Sequence, residues 1–306
     1  MKVLHQFDLN LLKAFDVLMD ERNVSRAAER LNLTQSAMSG MLARLREGLG
    51  DPLFVRAQRG IVPTERALSL AEPIKSTLAR IDGILQPAEF DPATAKMTLR
   101  VAATDYSMSA VMVHFVAKLA LLAPNIKVAL LPLTPDLPQQ LSQGKLDLAL
   151  LVPSEGADYL HLKPLYDEHY LCAMRADHPL AANAELTLAD YCQAEHILAS
   201  PVGGGFSGVS DMALAKQGLK RNVKVSLNNF LLLPQLLQHS DMIATVPSRL
   251  TALLPNIKHF PTPLPVQGFT KYIAWHDRTH NDPAHRWLRG LVGEVCRGFY
   301  SRSNLD

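Results

Sequence analysis

Three groups of residues have the types and spacing to do chemistry. Gln35, Ser36 and Ser39 bring an amide and two hydroxyls onto one short stretch, with Thr34 before them and Arg44 after. Such groups read base edges in a DNA groove, while guanidinium groups of the kind supplied by Arg26, Arg56 and Arg59 hold phosphates. Gly203-Gly204-Gly205-Phe206-Ser207-Gly208 has the G-x-G-x-x-G spacing of a dinucleotide loop and lies between a strand and a helix by pattern. The following strand, residues 222–225, runs into Ser226-Leu227-Asn228 without the acid that would hold a ribose. Ser207 is no nucleophile elbow, because Val209 stands where the second glycine belongs. His276, His280 and His285 with Asp277 and Asp282 have metal-ligating side chains, but no second cluster completes a site. Base reading is therefore the favoured chemistry, with no metal, no cofactor and no enzymatic activity expected. An α/β enzyme, or a solute-binding protein that does not touch DNA, is the alternative.

The chain has 306 residues, 48% hydrophobic, 20% charged and 6% aromatic. With a mean hydropathy of +0.03, this is the composition of a globular protein of two or three domains. Thirty-one Lys and Arg against 29 Asp and Glu leave +2, so any basic surface for a nucleic acid has to be local. Arg22, Arg26, Arg30, Arg44, Arg46, Arg56, Arg59 and Arg66 supply it, opposed over that stretch only by Glu29, Glu47, Asp51 and Glu65. The plain alternative is that these arginines solvate a helical face. Cys172, Cys192 and Cys296 are odd in number and lack C-x-x-C spacing, which argues against a disulfide framework or zinc ribbon. The N-terminus lacks the apolar core of a signal peptide. No apolar run of about 18 residues is free of charge and proline, so a cytoplasmic protein without a membrane partner is expected.

The elements that position the base-reading groups follow from periodicity. Leu9, Leu12, Phe15 and Met19 recur at helical spacing behind Asp8, an acceptable N-cap. Ser25 can cap a short helix, residues 24–31, with Ala27, Ala28 and Leu31 inward. Thr34 can cap residues 35–49, whose stripe is Ala37, Met38, Met41, Leu42 and Leu45. Two helices joined by so tight a turn make a helix-turn-helix, with Gln35, Ser36, Ser39, Arg44 and Arg46 outward. Leu53-Phe54-Val55-Arg56, bracketed by Gly50-Asp51-Pro52 and Gly60, reads as a hairpin wing beside the phosphates. Ala67, Ala71, Ile74, Leu78, Ile81 and Leu85 alternate by four and three, the seam of a two-stranded helical contact. A dimer helix is expected there, the alternative being a helix packed on its own domain. Pro73 predicts a kink, or first turns that are loosely attached.

Residues 86–96 read as a linker, after which strands and helices alternate in the α/β manner. The pattern predicts domains over 1–63, 64–88 and 97–306. The last divides into one lobe (97–165 and 267–306) and a second (166–266). Ligands of two-lobed α/β domains lie outside the C-terminal ends of the strands, at the junction. That rule selects Thr104, Asp105, Ser200, Val202, Asn228, Pro247 and Ser248. It is joined by Phe206 and Trp275 as ring-packing groups, Ser207 at a helix N-terminus suited to an anion, and His169 at the crossing.

Phe7-Asp8-Leu9-Asn10-Leu11-Leu12, Ser25-Arg26-Ala27-Ala28-Glu29-Arg30-Leu31, Thr34-Gln35-Ser36-Ala37-Met38-Ser39, Arg44-Leu45-Arg46 and Asp51-Pro52-Leu53-Phe54-Val55-Arg56 together resemble the N-terminal signature of LysR-type transcriptional regulators. Pro63-Thr64-Glu65-Arg66-Ala67 is similar to the start of that family's linker helix, and the remainder to its periplasmic-binding-protein-like effector domain. Asp177-His178-Pro179-Leu180 and residues 275–287 resemble the branch sensing salicylates, flavonoids or chlorinated phenolics, in which the His169 position also bears on the effector. Two positions depart from the pattern: Gly40, where a larger residue is common, and Ala67, where glycine is. The resemblance implies a winged helix-turn-helix, a linker helix and a two-lobed sensor. It further implies a homodimer or homotetramer that binds promoter DNA, takes a small aromatic effector and, if an activator, meets RNA polymerase.

Overall fold

A computed structural model describes residues 7–85, 89–153, 159–201, 204–251 and 255–298. The chain forms two compact units, Met1–Ala88 and Glu89–Asp306.

The first unit opens with α1 (Asn10–Glu21), α2 (Val24–Arg30) and α3 (Gln35–Leu49). The inner face of α1 is Leu11, Ala14, Phe15, Val17 and Leu18. It is rotated from the expected stripe: Leu9 is exposed and Met19 only half-buried. Asp8 still accepts from the Asn10 amide (3.0 Å), and it pairs with Arg44 (3.0 Å). The cap of α2 is Asn23, not Ser25: its side chain accepts from the amides of Ser25 and Arg26, leaving the Ser25 hydroxyl outside. Ala27 and Ala28 are buried, and their small size brings α2 against α3. Thr34 caps α3 as expected, accepting from the Ala37 amide (3.2 Å). Met38, Leu42 and Leu45 are the buried stripe, Met41 flanks it, and Ala37 faces outward. Asn23→Ala is expected to cost about 1 kcal/mol by leaving two helix-end amides uncapped, while Ser25→Ala is close to neutral; urea unfolding of the two variants followed by circular dichroism separates the assignments.

β1 (Phe54–Arg56) and β2 (Ile61–Pro63) pair antiparallel as the wing. Gly60 closes it at φ +81°, where any Cβ would meet the Arg22 carbonyl oxygen at 2.3 Å, so glycine is required. Asp51 ties the wing down by accepting from the Leu53 amide and the Thr64 hydroxyl, both at 2.7 Å. α4 (Glu65–Leu85) follows, with Pro73 inside an unbroken helix. Its first turns are firmly attached, since the Thr64 hydroxyl accepts from the Ala67 amide and Ala67 is fully buried. Ala67 and Ile74 belong to this unit's own core with Phe15 and Leu18. The seam left for a second copy is its later part: Ala71, Leu78 and Ile81 are half-buried and Leu85 is exposed.

The second unit runs β3 (Thr98–Ala103), α5 (Asp105–Ser107), a π-helical turn, α6 (Val113–Leu122), β4 (Lys127–Leu131), α7 (Leu137–Ser142), β5 (Leu148–Leu151), β6 (Leu160–Glu168), β7 (Tyr170–Arg175), α8 (Leu188–Gln193), β8 (Glu195–Ala199), α9 (Val209–Ala215), β9 (Asn222–Leu227), α10 (Leu233–Gln238), β10 (Ile243–Pro247), α11 (Ser248–Thr251), β11 (Ile257–Pro261), β12 (Phe269–His276) and α12 (Pro283–Gly298). Two five-stranded sheets result, ordered β4-β3-β5-β12-β6 and β11-β7-β10-β8-β9. The chain crosses between them at His169, three residues later than expected, and returns before β12. Residues 105–122 are apolar enough in composition to cross a membrane. Their buried Tyr106, Phe115 and Leu119 serve the sensor core instead. Sequence periodicity missed β6 and β11, both edge strands whose half-exposed faces lack a clean apolar alternation.

In both sheets a strand runs against its parallel neighbours. β12 is antiparallel to β5 and β6, and β7 is antiparallel to β10 and β11. Their N-terminal ends, Phe269 and Tyr170, therefore reach the level of their neighbours' C-terminal ends. The pairings Phe269 with Glu168 and Tyr170 with Pro247 place them there.

Candidate functional site

The first unit presents Ser25, Arg26, Thr34, Gln35, Ser36 and Ser39 at its surface, together with Arg44, Arg56 and Arg59. They divide by what they already hold. Arg26 donates to the Glu21 carbonyl oxygen (2.6 Å), Arg30 to Asp20 (3.0 Å), and Arg44 to Asp8. Arg46 donates to the carbonyl oxygens of Pro52 and Phe54, both at 2.8 Å, and so fixes the wing against α3. Thr34 shares a 2.9 Å hydrogen bond with Ser36. Gln35 and Ser39 on the first turns of α3, and Arg56 and Arg59 on the wing, make no side-chain hydrogen bond or ion pair among the described residues, which leaves them free for bases and phosphates. At Gly40 a Cβ would meet nothing within 4 Å, so this face of α3 is open.

In the second unit a cavity of about 320 Å³ lies between the two sheets. Of the residues expected in the cleft, Thr104, Ser200 and Pro247 line it. The others stand elsewhere. Asp105 accepts from the amides of Tyr106 and Leu231 beneath it. His169 is exposed at the crossing, with its backbone bonded to Glu168 and Ser248. Ser248 gives its amide and hydroxyl to Glu168. Phe206 and Ser207 are exposed, because α9 begins two residues after Ser207 and it is Gly208, Val209 and Ser210 that face the cavity. The expected anion seat at this helix end is filled from within: the Gly208 amide donates to Asp211 (2.7 Å). Asn228 is exposed beyond the edge strand β9, and Val202 lies outside the described residues. Trp275 lies at the other end of β12, beneath the Arg289 guanidinium (4.5 Å), stacked with His161 and hydrogen-bonded to His280. Four residues of strand carry it about 13 Å from the mouth.

The rule of C-terminal strand ends missed what the antiparallel strands bring. Phe269 and Lys271 from β12 and Tyr170 from β7 enter the cavity, with Tyr106 and Phe230 completing an aromatic wall. Lys271 is 3% exposed and makes no side-chain hydrogen bond among the described residues. Its ammonium lies over the rings of Phe269 (5.4 Å) and Tyr106 (5.7 Å). Burial pulls its pKa down to about 8, against the opposing pull of Glu168. The other cation at the cavity, Arg221, is already spent. Its Nε and Nη2 clasp Asp211 at 2.9 and 2.8 Å, and Nη1 reaches the Tyr191 hydroxyl and His196 Nδ1, both at 3.2 Å. Burial pushes His196 down to about 4, so the neutral ring donates from Nε2 to the Tyr191 carbonyl oxygen (2.7 Å). Burial also acts against the charge of Asp211, but Arg221 and the Gly208 amide outweigh it and hold that carboxyl below the usual carboxylate range.

Behind the aromatic wall, buried Glu168 is a hub. It accepts from the Tyr106 hydroxyl, the Ser248 hydroxyl and amide, and the His169 amide, and Arg249 stands 3.8 Å away. Arg249 in turn covers the Tyr166 ring at 4.1 Å. The histidines with ligating potential do not gather: His276 accepts from the Arg278 amide, His280 from Trp275, and His285 faces Asp147 at 3.9 Å.

Residues 9–68 match the family described as "Bacterial regulatory helix-turn-helix protein, lysR family", and residues 93–297 the "LysR substrate binding domain". Among characterised relatives, the HTH-type transcriptional activator NahR of Pseudomonas putida is 36% identical, covering 95% of this chain and 98% of its own length. Nodulation protein D 1 of Bradyrhizobium sp. (strain NC92) is 33% identical over 93% of this chain and 92% of its own. A probable transcriptional regulator from Pseudomonas aeruginosa of known structure superimposes with a TM-score of 0.58 at 31% identity, over 95% of this chain and 98% of that one. A full-length OxyR variant from the same organism shares the fold, with a TM-score of 0.67 at 20% identity over 95% of this chain and 100% of that one.

Proposed function

The chain belongs to the LysR family of bacterial transcriptional regulators, ligand-responsive DNA-binding proteins rather than enzymes, and from that premise we propose that it answers to a small aromatic acid held between the two sheets of its sensor unit. The observation that carries this reading is Lys271: a buried ammonium without a hydrogen-bonded partner, set among Tyr106, Tyr170, Phe230 and Phe269. The rings match the faces of an aromatic nucleus and the ammonium matches its carboxylate, while Arg221 is neutralised and adds no free charge. Gln35, Ser36 and Ser39 read bases at the start of α3; Arg56 and Arg59 hold phosphates from the wing, with Ser25, Arg26, Thr34 and Arg44 nearer the backbone. A homodimer forms through the later part of α4, with Leu78, Ile81 and Leu85 at its seam, and dimers of dimers extend it to a tetramer. The protein acts in the cytoplasm as an activator that meets RNA polymerase, in keeping with the activator title of its relative NahR.

The test is a mobility-shift titration on the DNA upstream of its own gene, repeated with benzoate and its hydroxylated forms. Salt-sensitive binding to that DNA is expected, with an acid-dependent change in the complex; no shift at low salt sinks the reading. Arg56→Ala should weaken cognate and scrambled DNA alike, whereas Gln35→Ala should change the preferred sequence. Equal losses on both DNAs for Gln35→Ala would remove it from base reading.

A further inference from the structure

The wall of the cavity opposite Lys271 carries a polar group that a carboxylate at Lys271 leaves unused. Ser210, in the first turn of α9, lines the cavity at 1% exposure, and its hydroxyl oxygen has no hydrogen-bond partner. A buried hydroxyl that has given up water for nothing destabilises the fold that contains it, so its presence against an open cavity marks a place where a ligand atom completes the bond. The polar neighbours do not supply it. The Tyr191 hydroxyl close by is already shared with Thr245 (2.6 Å) and Arg221 (3.2 Å), and Arg221 is held by Asp211 and His196 as well. They form a closed network beside Ser210 that holds the wall rigid. The two ends of the cavity also come from different sheets: Lys271 from β12 in the first, and Ser210 from α9 on the second. A ligand that satisfies both must carry its polar groups apart.

We propose that the effector is an aromatic acid with a second hydrogen-bonding group, a hydroxyl or carbonyl oxygen, remote from its carboxylate, and that Ser210 selects for that group. The proposal rests on the reading of the cavity as an aromatic-acid site. A site built to hydrogen-bond a ligand group discriminates against the analogue lacking it, because the protein partner is then left unpaired.

Calorimetric titration of the full-length protein with benzoate and its 2-, 3- and 4-hydroxy derivatives separates the two. The wild type is expected to bind the 3- or 4-hydroxy acid about tenfold or more tighter than benzoate. The 2-hydroxy acid, whose hydroxyl stays at the Lys271 end, should stay close to benzoate. In Ser210→Ala the preference should collapse to near one with benzoate affinity unchanged. The melting temperature of that ligand-free variant should not fall, because an unpaired hydroxyl has been removed; Ser210→Cys, of similar size and a weak hydrogen-bonder, should lose the preference too. Equal affinity of the wild type for all four acids would overturn the proposal while leaving the aromatic-acid reading standing. A preference that survives in both variants, or a lowered melting temperature in Ser210→Ala, also overturns it. Failure of every acid to bind removes the aromatic-acid reading and the proposal together.

Discussion

Lys271→Met is expected to weaken the binding of an aromatic carboxylate by about thirtyfold or more, the cost of removing one partner from a buried, hydrogen-bonded charge pair. Methionine keeps the length and the packing against Phe269 and Tyr106, so the loss isolates the charge. The pH dependence gives a second readout. Burial sets the Lys271 pKa at about 8, so below that value the ammonium is charged in the ligand-free protein and ready for an anion. Above it, binding must first restore a proton, and affinity should fall by about tenfold for each further pH unit. The acid itself is ionised throughout this range, so the wild-type profile should be flat from about pH 6 to 7.5 and decline beyond about 8. In Lys271→Met it should be flat on both sides. Calorimetric titrations across that interval measure both effects. A wild-type affinity indifferent to pH, or a variant that binds as tightly as its parent, would place the carboxylate somewhere else.

Glu168→Ala should destabilise the sensor unit by about 3–5 kcal/mol, the usual consequence of taking one member from a buried charged network. The side chain is fully buried and accepts from donors on both sides of the crossing: Tyr106 within the first sheet's unit, the amide of His169 at the junction, and Ser248 at the end of β10. Its loss leaves those donors without an acceptor and removes the carboxylate that stands beside Arg249. Glu168→Gln keeps the shape and one acceptor oxygen but turns an amide NH2 toward donors, so an intermediate loss is expected. Both tryptophans, Trp275 and Trp287, lie in the sensor unit, so urea unfolding followed by their fluorescence reports on this unit. A midpoint for Glu168→Ala equal to that of the wild type would show that the hub holds nothing together.

The difference between these two sites and the DNA-reading head lies in the range of the interactions. The base-reading helix, its Thr34 cap, the wing and the unit containing them follow from contacts a few residues apart, and local spacing encodes them. Even there, two capping residues stood close together at the start of α2, and only the backbone geometry selects Asn23 over Ser25. The four-three spacing of α4 is likewise silent about its partner. The same apolar stripe suits a neighbouring helix of its own unit or of a second copy, and the structure gives Ala67 and Ile74 to the first.

The sequence by itself determined the division into head, linker helix and two-lobed α/β sensor, the base-reading surface, and the family to which these parts belong, because periodicity, capping and turn chemistry are short-range signals. The tertiary structure alone decided which residues meet in the cavity. Strand direction is a property of pairing across the sheet, not of the strand's own residues. A parallel rule therefore chose Trp275, at the far end of an antiparallel strand, and passed over Lys271, Phe269 and Tyr170, which the reversed strands carry to the mouth.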